Sequence, residues 1–527
     1  MIECLLENAH WFRTDSLSVK GYCFDEKNVF FSGEQLLSYF ESVNNEKDFE
    51  SKLQAANGIF SVIIHRSDFS AFAIDRTRVY PLFYTQKDHK ITVSDNPYVL
   101  LPTEVKFDSR SVDEYNHISF VLENRTLIDG VFQAPPSSYI IEKENGLSTR
   151  SYSSFLVKKG QELVQSEAPV KIEEAFKNSI ERLIKSANKR QLALPLSGGY
   201  DSRLIACLLK MNGYEDVVCY NVGRPGNPEH ILSSKVAEAL GYKYYFIDNS
   251  SVDIISGYIE SETFDKYYKF SGNLSNSFWM YEYFGVKFLI ENKLIQPDAI
   301  FIPGHSGDFL GGSQFSKAGI PYDTTKETII DKLIQYNFCL GDTVLTQDII
   351  KVITSFVENY SGGKDEFHLY SIYENFVYLE KLPKFINNSV RLYEFYGHEV
   401  RLFFWDNELL DVFKRTPYNL RLNKTLYDSI LKNKYFIPMK VSYVKEMQAP
   451  KILIKWQQFK NGIKRNCIPF CIRKRINRIA DYTCMKEISE PLKEDLKQNG
   501  IVVHGSYSNV FLKWNFFKVR TNFKGHH

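Results

Sequence analysis

This chain has no apolar run near the ~18 residues that a bilayer crossing requires, so no membrane span is expected. Its eight cysteines, Cys4, Cys23, Cys207, Cys219, Cys339, Cys467, Cys471 and Cys484, contain no C-x-x-C pair. That spacing indicates neither a zinc site nor a disulfide framework. An excess of one charge is missing too: 65 basic residues face 63 acidic ones, for a net charge of +2. Such a balance offers no general surface for nucleic acid or anionic membrane. The opening Met1-Ile-Glu-Cys-Leu-Leu-Glu-Asn-Ala-His10 carries acid early and no long apolar core, so it does not read as a secretory signal. Internal repeats and low-complexity tracts are absent. The expectation is a soluble cytoplasmic protein in a reducing environment.

The chain does have ample material for cores. Of its 527 residues 44% are hydrophobic and 15% aromatic, enough for at least two domains. Residues 1–155 read as β-rich, with short strand-like runs at Phe60-Ser-Val-Ile-Ile64, Ser70-Ala-Phe-Ala-Ile74 and Ser138-Tyr-Ile-Ile141. Few helix candidates interrupt them, residues 34–43 among these. Residues 158–168 read as a polar linker. A second unit, residues 165–527, follows. There Ile172, Ala175, Phe176, Ile180 and Leu183 fall at helical spacing, and strand-like runs at 217–222 and 244–247 flank a helix ending at Gly241. Alternating strands and helices predict a doubly wound parallel sheet, so the fold class is α/β. From about residue 258 the pattern is mainly helical. Beyond Ile454 it is locally basic (Lys464, Arg465, Arg473, Lys474, Arg475, Arg478), either a solvated helix face or a contact for an anionic carrier or substrate.

The most informative stretch is Leu192-Ala-Leu-Pro-Leu-Ser-Gly-Gly-Tyr-Asp-Ser-Arg-Leu-Ile-Ala206. It reads as buried strand, tight turn and helix. Ser197, Gly198, Gly199 and Ser202 present hydroxyls and backbone N–H groups to an anion at a helix start. Asp201 adds a carboxylate beside that anion, an arrangement that suits Mg²⁺ lying between the two. Ile300-Phe-Ile-Pro-Gly-His-Ser-Gly-Asp-Phe-Leu-Gly-Gly312 repeats the design, with Asp308 as its aspartate. Loops at the carboxyl ends of neighbouring strands share one crevice, so Asp201 and Asp308 are expected to bracket one magnesium–pyrophosphate group.

Ser197 to Ser202 resembles the pyrophosphate loop of the N-type ATP pyrophosphatases. Within that group the chain resembles the asparagine synthetase family. The segment around Asp308 is similar to that family's Ser-Gly-Glu-Gly-Ala-Asp-Glu-Leu, which implies that Asp308 is a metal ligand. It also implies that Leu196, Val222, Pro303 and Gly304 lie against the nucleotide. His305 and Phe309 stand where the family has glutamates. The same histidine occurs in the asparagine-synthetase-like cyclases that make lasso peptides, so free aspartate is not the expected substrate. His305 reads equally as a satisfied loop histidine and as a catalytic or substrate-orienting group. Gly397-His-Glu-Val-Arg-Leu-Phe-Phe-Trp-Asp406 resembles Gly-x-Glu-x-Arg-x-Pro-Phe-Leu-Asp. Glu399 and Arg401 would then either shape the acceptor pocket or lock two helices together. Ile437-Pro-Met-Lys-Val-Ser-Tyr-Val-Lys-Glu resembles a segment whose lysine steadies adenylate charge. That implies Lys445, with Lys440 in reserve.

Asn57-Gly-Ile-Phe and Ala73-Ile-Asp-Arg-Thr-Arg-Val-Tyr-Pro-Leu-Phe-Tyr84 resemble the class II glutamine amidotransferase domain. The resemblance implies an Ntn-hydrolase-like α+β unit ahead of an adenine nucleotide α-hydrolase-like one. Glutaminase chemistry in that family needs an N-terminal cysteine whose own amine is the base. Here Ile2 stands in that place, and the family's Arg-Gly-Pro-Asp and Asn-Gly-Glu motifs are missing. A fold without glutaminase activity is expected, as in β-lactam-forming relatives.

The resemblance as a whole implies an ATP- and Mg²⁺-dependent ligase that adenylates a carboxylate and passes the acyl group to ammonia or an amine. The carboxylate would be an amino acid, a peptide or a uronic acid, no nucleic acid is involved, and a homodimer is compatible. Glutamine-hydrolysing asparagine synthetase proper, nucleobase sulfur or nitrogen transfer, and a non-catalytic nucleotide-binding scaffold remain alternatives.

Overall fold

The computed structural model describes residues 2–67, 69–87, 90–143, 146–341, 344–361, 366–443 and 481–524. The fold is α/β, with an antiparallel sheet and a mixed sheet at the start, a parallel sheet in the middle and helices beyond.

The first half is built from strands that bury both faces. A seven-stranded sheet runs in the order Gly146–Ser151, Ser138–Lys143, Ser70–Ile74, Asn57–His65, Leu17–Phe24 and Phe12–Arg13, with Phe30–Ser32 on Leu17–Phe24. Alternation decides which residue faces where. Phe60, Val62, Ile64, Ala71 and Ala73 pack under the helices Glu34–Glu41 and Glu46–Ala55, against Leu36, Phe40, Phe49 and Leu53. Ile63, Phe72, Ile74 and Ile140 point the other way, onto a four-stranded sheet of Ile2–Leu5, Lys90–Ser94, Phe83–Lys87 and Phe132–Gln133. The far side of this second sheet meets the chain's last helix, Tyr507–Lys524, through Phe83, Val131 and Val519. That helix also sends Asn515 Nδ2 to the Tyr115 hydroxyl at 2.7 Å.

The second half centres on four parallel strands in the order Lys243–Asp248, Val217–Gly223, Leu192–Pro195 and Ile300–Phe301. The helix Ala168–Ala187 buries Ile172, Ala175, Phe176, Ile180 and Leu183, the residues whose spacing predicts it. Pro228–Leu240 stops at Gly241, whose φ of 71° closes the left-handed cap. Strand order reverses between Leu192–Pro195 and Ile300–Phe301, which makes their carboxyl ends the topological switch point.

The polar stretch 158–168 is not a loose linker. Lys159 N–H donates to Glu366 O at 2.9 Å, and Leu163 N–H donates to Arg415 O at 2.7 Å. The two halves share one apolar core in which Tyr22, Ile59, Val79 and Phe120 pack with residues of the parallel-sheet half. Polar ties reinforce it. Lys20 pairs with Glu394 at 2.7 Å, and the buried Lys384 donates to Glu123 O at 2.7 Å and to Glu380 at 2.6 Å. Among the described residues no helix is long and apolar enough to cross a membrane.

Candidate functional site

Leu192–Pro195 ends in a loop braced by its own hydroxyls. Ser197 N–H donates to Ser202 Oγ at 3.1 Å, the two Oγ atoms lie 3.2 Å apart, and Gly199 N–H donates to Ser197 Oγ at 3.1 Å. The helix Tyr200–Met211 begins at once, with Asp201 in its first turn and no side chain capping its start. Its first N–H groups are therefore not covered by a side-chain cap. The buried Arg203 fixes the loop from behind, donating to Gly198 O at 2.8 Å and to Val441 O at 3.1 Å.

The loop after Ile300–Phe301 leans directly on the first. A Cβ on Gly304 would stand 2.7 Å from Ser202 N, and one on Gly307 would stand 2.6 Å from both Asp201 Cγ and the Tyr427 hydroxyl. Only glycine permits this approach, to backbone at Gly304 and to side chains at Gly307. Asp308 N–H donates to Asp201 Oδ2 at 2.8 Å, and Tyr427 Oη donates to Oδ1 at 2.9 Å. Ser313 Oγ donates to Asp308 Oδ2 at 2.6 Å. Burial, and then the charge of Asp308, push the Asp201 carboxyl up to about 7, although Tyr427 and Lys424 partly relieve it.

Above this meeting point lies a cavity of about 600 Å³. Leu196, Ser197, Gly198, Gly199, Asp201 and Ser202 line it from the first loop, Val222 from the next strand, and Pro303, Gly304, His305 and Asp308 from the second loop. Three candidates fall elsewhere. Lys445 lies outside the described residues. Lys440 is exposed and does not line the cavity. Glu399 is also absent from the lining; its carboxylate is held by Arg190 and, at 2.9 Å, by Arg401. Arg401 in turn donates to Ser186 Oγ at 2.9 Å and lies over the Tyr22 ring, so this pair joins elements of the core. Asp406 caps the helix Asn407–Arg415 and takes both prongs of Arg182 at 2.7 Å.

Burial lowers the His305 imidazole to about 4, so the ring is neutral, and its Nδ1 has no hydrogen-bond partner among the described residues. The sequence reading missed Tyr220, Asn221, Glu229, Tyr281, Glu282, Lys424 and Asp428, all of which line the cavity. For Tyr220 a signal existed. It lies two residues before Val222 on one strand and so shares its face.

Among the described residues no group of three or more His, Cys, Asp or Glu gathers as a metal site. Two facing carboxylates nevertheless suit Mg²⁺, which is commonly held by one or two carboxylates together with substrate phosphates. Burial raises Asp201 most, and the charge of Asp308 adds to it; such an ion would offset that charge.

A family profile described as a glutamine amidotransferase domain matches residues 34–153. A probable glutamine-hydrolysing asparagine synthetase of Acanthamoeba polyphaga mimivirus is 35% identical over 88 residues, covering 15% of this chain and 16% of the relative. Both matches agree, at the level of the family, with the resemblance to asparagine synthetases. The chain also overlays loosely on the NH3-dependent NAD synthetase of Campylobacter jejuni, at 18% identity and a TM-score of 0.20, over 36% of this chain and 73% of that one. For the NMN synthetase of Francisella tularensis the values are 13% and 0.21, over 40% and 96%.

Proposed function

We propose that this protein is an ATP-dependent ligase of the asparagine synthetase type that forms an amide bond and works without its own glutaminase. One observation carries the reading: two glycine-bearing loops at the switch point of a parallel sheet press together and direct Asp201 and Asp308 into one cavity. Ser197, Gly198, Gly199 and Ser202 would hold the pyrophosphate, and Asp201 and Asp308 the Mg²⁺ that balances its charge. Leu196, Val222, Pro303 and Gly304 would border the nucleoside. A substrate carboxylate oxygen attacks the α-phosphorus and pyrophosphate leaves. Ammonia or an amine then attacks the acyl carbon, AMP departs with the bonding pair and the nitrogen loses a proton. Lys424 lines the cavity beside the carboxylates and Lys445 is the further candidate; such a fixed cation steadies developing negative charge.

An external nitrogen source is supported by the first half of the chain. The family's glutamine-binding motifs, Asn-Gly-Glu among them, are missing from it. The mimiviral relative's name suggests the rival reading, with glutamine as donor. The lasso-cyclase type fits the His305 replacement better, and the proposed setting is cytoplasmic.

Release of AMP and pyrophosphate from MgATP tests the proposal. Aspartate, amino acids, peptides and uronic acids would be offered as carboxylates, each with ammonium or glutamine. Turnover with ammonium and not glutamine is expected. Turnover with glutamine would overturn the loss of glutaminase, and ATP binding without AMP release from any mixture would favour the scaffold reading.

A further inference from the structure

A second cavity, also of about 600 Å³, shares no lining residue with the first. Residues that follow the strands Ile2–Leu5 and Lys90–Ser94 meet there with the helix Glu262–Gly272, the short helix Arg391–Phe395 and the chain's last helix.

Its charges are already matched. Asp95 accepts from Glu7 N–H at 2.8 Å, from Asn8 N–H at 3.1 Å and from Trp11 Nε1 at 2.7 Å, which occupies both carboxylate oxygens. Lys266 pairs with Glu262 at 2.6 Å and Lys269 with Asp265 at 2.7 Å. With no spare carboxylate for a cation and no unmatched ammonium for an anion, this lining suits a neutral ligand. Its hydrogen-bonding capacity, by contrast, is not used up. The side-chain N–H groups of Asn8, Asn273 and Asn522 donate to protein at 3.2, 3.4 and 3.3 Å, while their amide oxygens accept nothing among the described residues. Each ammonium keeps N–H donors beyond the one given to its carboxylate. Spare acceptors and spare donors thus line one cavity. A hydroxyl uses both kinds, whereas a carboxylate only accepts and an ammonium only donates.

The remaining wall is aromatic. Phe270 and Phe395 have centroids 5.7 Å apart, and Tyr98 and Phe523 have theirs 6.5 Å apart. Ring faces carry the negative side of the quadrupole and favour the C–H groups of a saturated ring. The Arg391 guanidinium lies 4.1 Å over the Phe270 ring. Arg391 is 1% exposed, and its Nε and Nη1 have no partner among the described residues. Buried donors without acceptors are costly. A polar ligand on this wall, directly or through a bridging water, would relieve that cost.

We propose that this cavity binds a neutral saccharide, its ring against Phe270 and Phe395 and its hydroxyls among the Asn8, Asn273 and Asn522 oxygens and the Lys269 ammonium. The proposal does not depend on the adenylation reading, because the two cavities have no residue in common.

Saturation-transfer NMR on the full chain tests it. The probes are the methyl glycosides of glucose, galactose, mannose and N-acetylglucosamine, together with maltose and lactose; benzoate and ethylammonium serve as charged controls. At least one sugar should receive transfer, and MgATP should not displace it. Asn522→Trp places a ring in the cavity from an exposed position on the last helix. It should abolish the transfer while thermal unfolding and the affinity for MgATP stay unchanged. Lys269→Met should weaken the sugar about fivefold, the worth of one hydrogen bond. Displacement by MgATP would put the sugar in the catalytic cavity and overturn the proposal. So would transfer to no sugar of the set, transfer undiminished by Asn522→Trp, or tighter binding of either charged control than of any sugar.

Discussion

Two acidic corners of the parallel-sheet half make an instructive pair. At one, Glu399 sits with Arg190 and Arg401. Burial alone would raise its carboxyl, but the two guanidinium groups more than reverse this and hold it at about 2. At the other, Asp201 faces Asp308 across a backbone hydrogen bond. Burial and the second carboxylate push it up to about 7. Both residues lie in segments that resemble motifs of the same family. The first corner is electrically complete and so needs no ligand. The second sets the Asp308 carboxylate near that of Asp201, with Lys317 reaching only Asp308, at 3.4 Å, and it lines a cavity of about 600 Å³. On the proposed reading, electrostatic incompleteness distinguishes the ligand-binding corner from the structural one.

The sharpest way to break this comparison is to remove the charge at the incomplete corner. Asp201→Asn or Asp308→Asn should lower AMP release by at least about 10²-fold, and the double variant should lose little more, because both act on one ion. The pH dependence supplies a second readout without substrate. Asp201 ionises near 3.9 in an unfolded chain and at about 7 here. Between those values the folded state binds the extra proton, so stability falls as pH rises from about 4 to 7, by about 3 kcal/mol. Asp201→Asn should flatten that slope in thermal unfolding of the apo protein. A slope that survives the substitution would remove Asp201 as its source.

A smaller loss is expected from Gly304→Ala. The added methyl would meet Ser202 N at 2.7 Å, and that neighbour is backbone, not a flexible side chain. The two loops must separate, costing about 1–3 kcal/mol of stability. MgATP should bind about tenfold more weakly by titration. Unchanged affinity would show that the loops need not touch for the cavity to work.

How much of this the sequence disclosed depends on how local each feature is. The strand–loop–helix units were legible because close backbone approach demands glycine, and anion contact demands hydroxyls, at adjacent positions. Alternation placed Phe60, Val62 and Ile64 together, and helical spacing gave Ala168–Ala187. That stretch 158–168 is tied down is not legible in the sequence, because its anchors, Glu366 and Arg415, are more than 200 positions away. Tyr427, Lys424 and Glu282 were invisible for the same reason. Each is a single residue brought in by tertiary packing, with no motif around it. The roles of Glu399 and Arg401 were left open because sequence does not show whether an acid has found a cation.

Lys424 tests whether the cation at the incomplete corner matters. It is held in the left-handed region at φ 59°, its Nζ lies 3.3 Å from Asp428 Oδ1, and it lines the cavity. Lys424→Met should raise the MgATP requirement about tenfold, the cost of one charge-assisted contact. Steady-state AMP release at varied ATP measures this. No change would point instead to cations elsewhere in the chain.

The smallest effect on chemistry is expected at the complete corner, and that expectation is what gives the comparison its force. Glu399→Gln removes the negative partner of the buried Arg401 and of Arg190 while keeping the shape. The Glu399 side chain is 44% exposed, so solvent screens much of the attraction. The stability lost at neutral pH should therefore be about 1 kcal/mol. The sign with pH is opposite to that at Asp201. A folded value of about 2 lies below the unfolded value near 4.3, so the stabilisation is full above about 4 and disappears as pH falls toward 2. AMP release should be unaltered once the variant is folded. Loss of turnover with stability intact would instead put Glu399 in the chemistry, and satisfied charge would then be no guide to which motif residues act on a ligand.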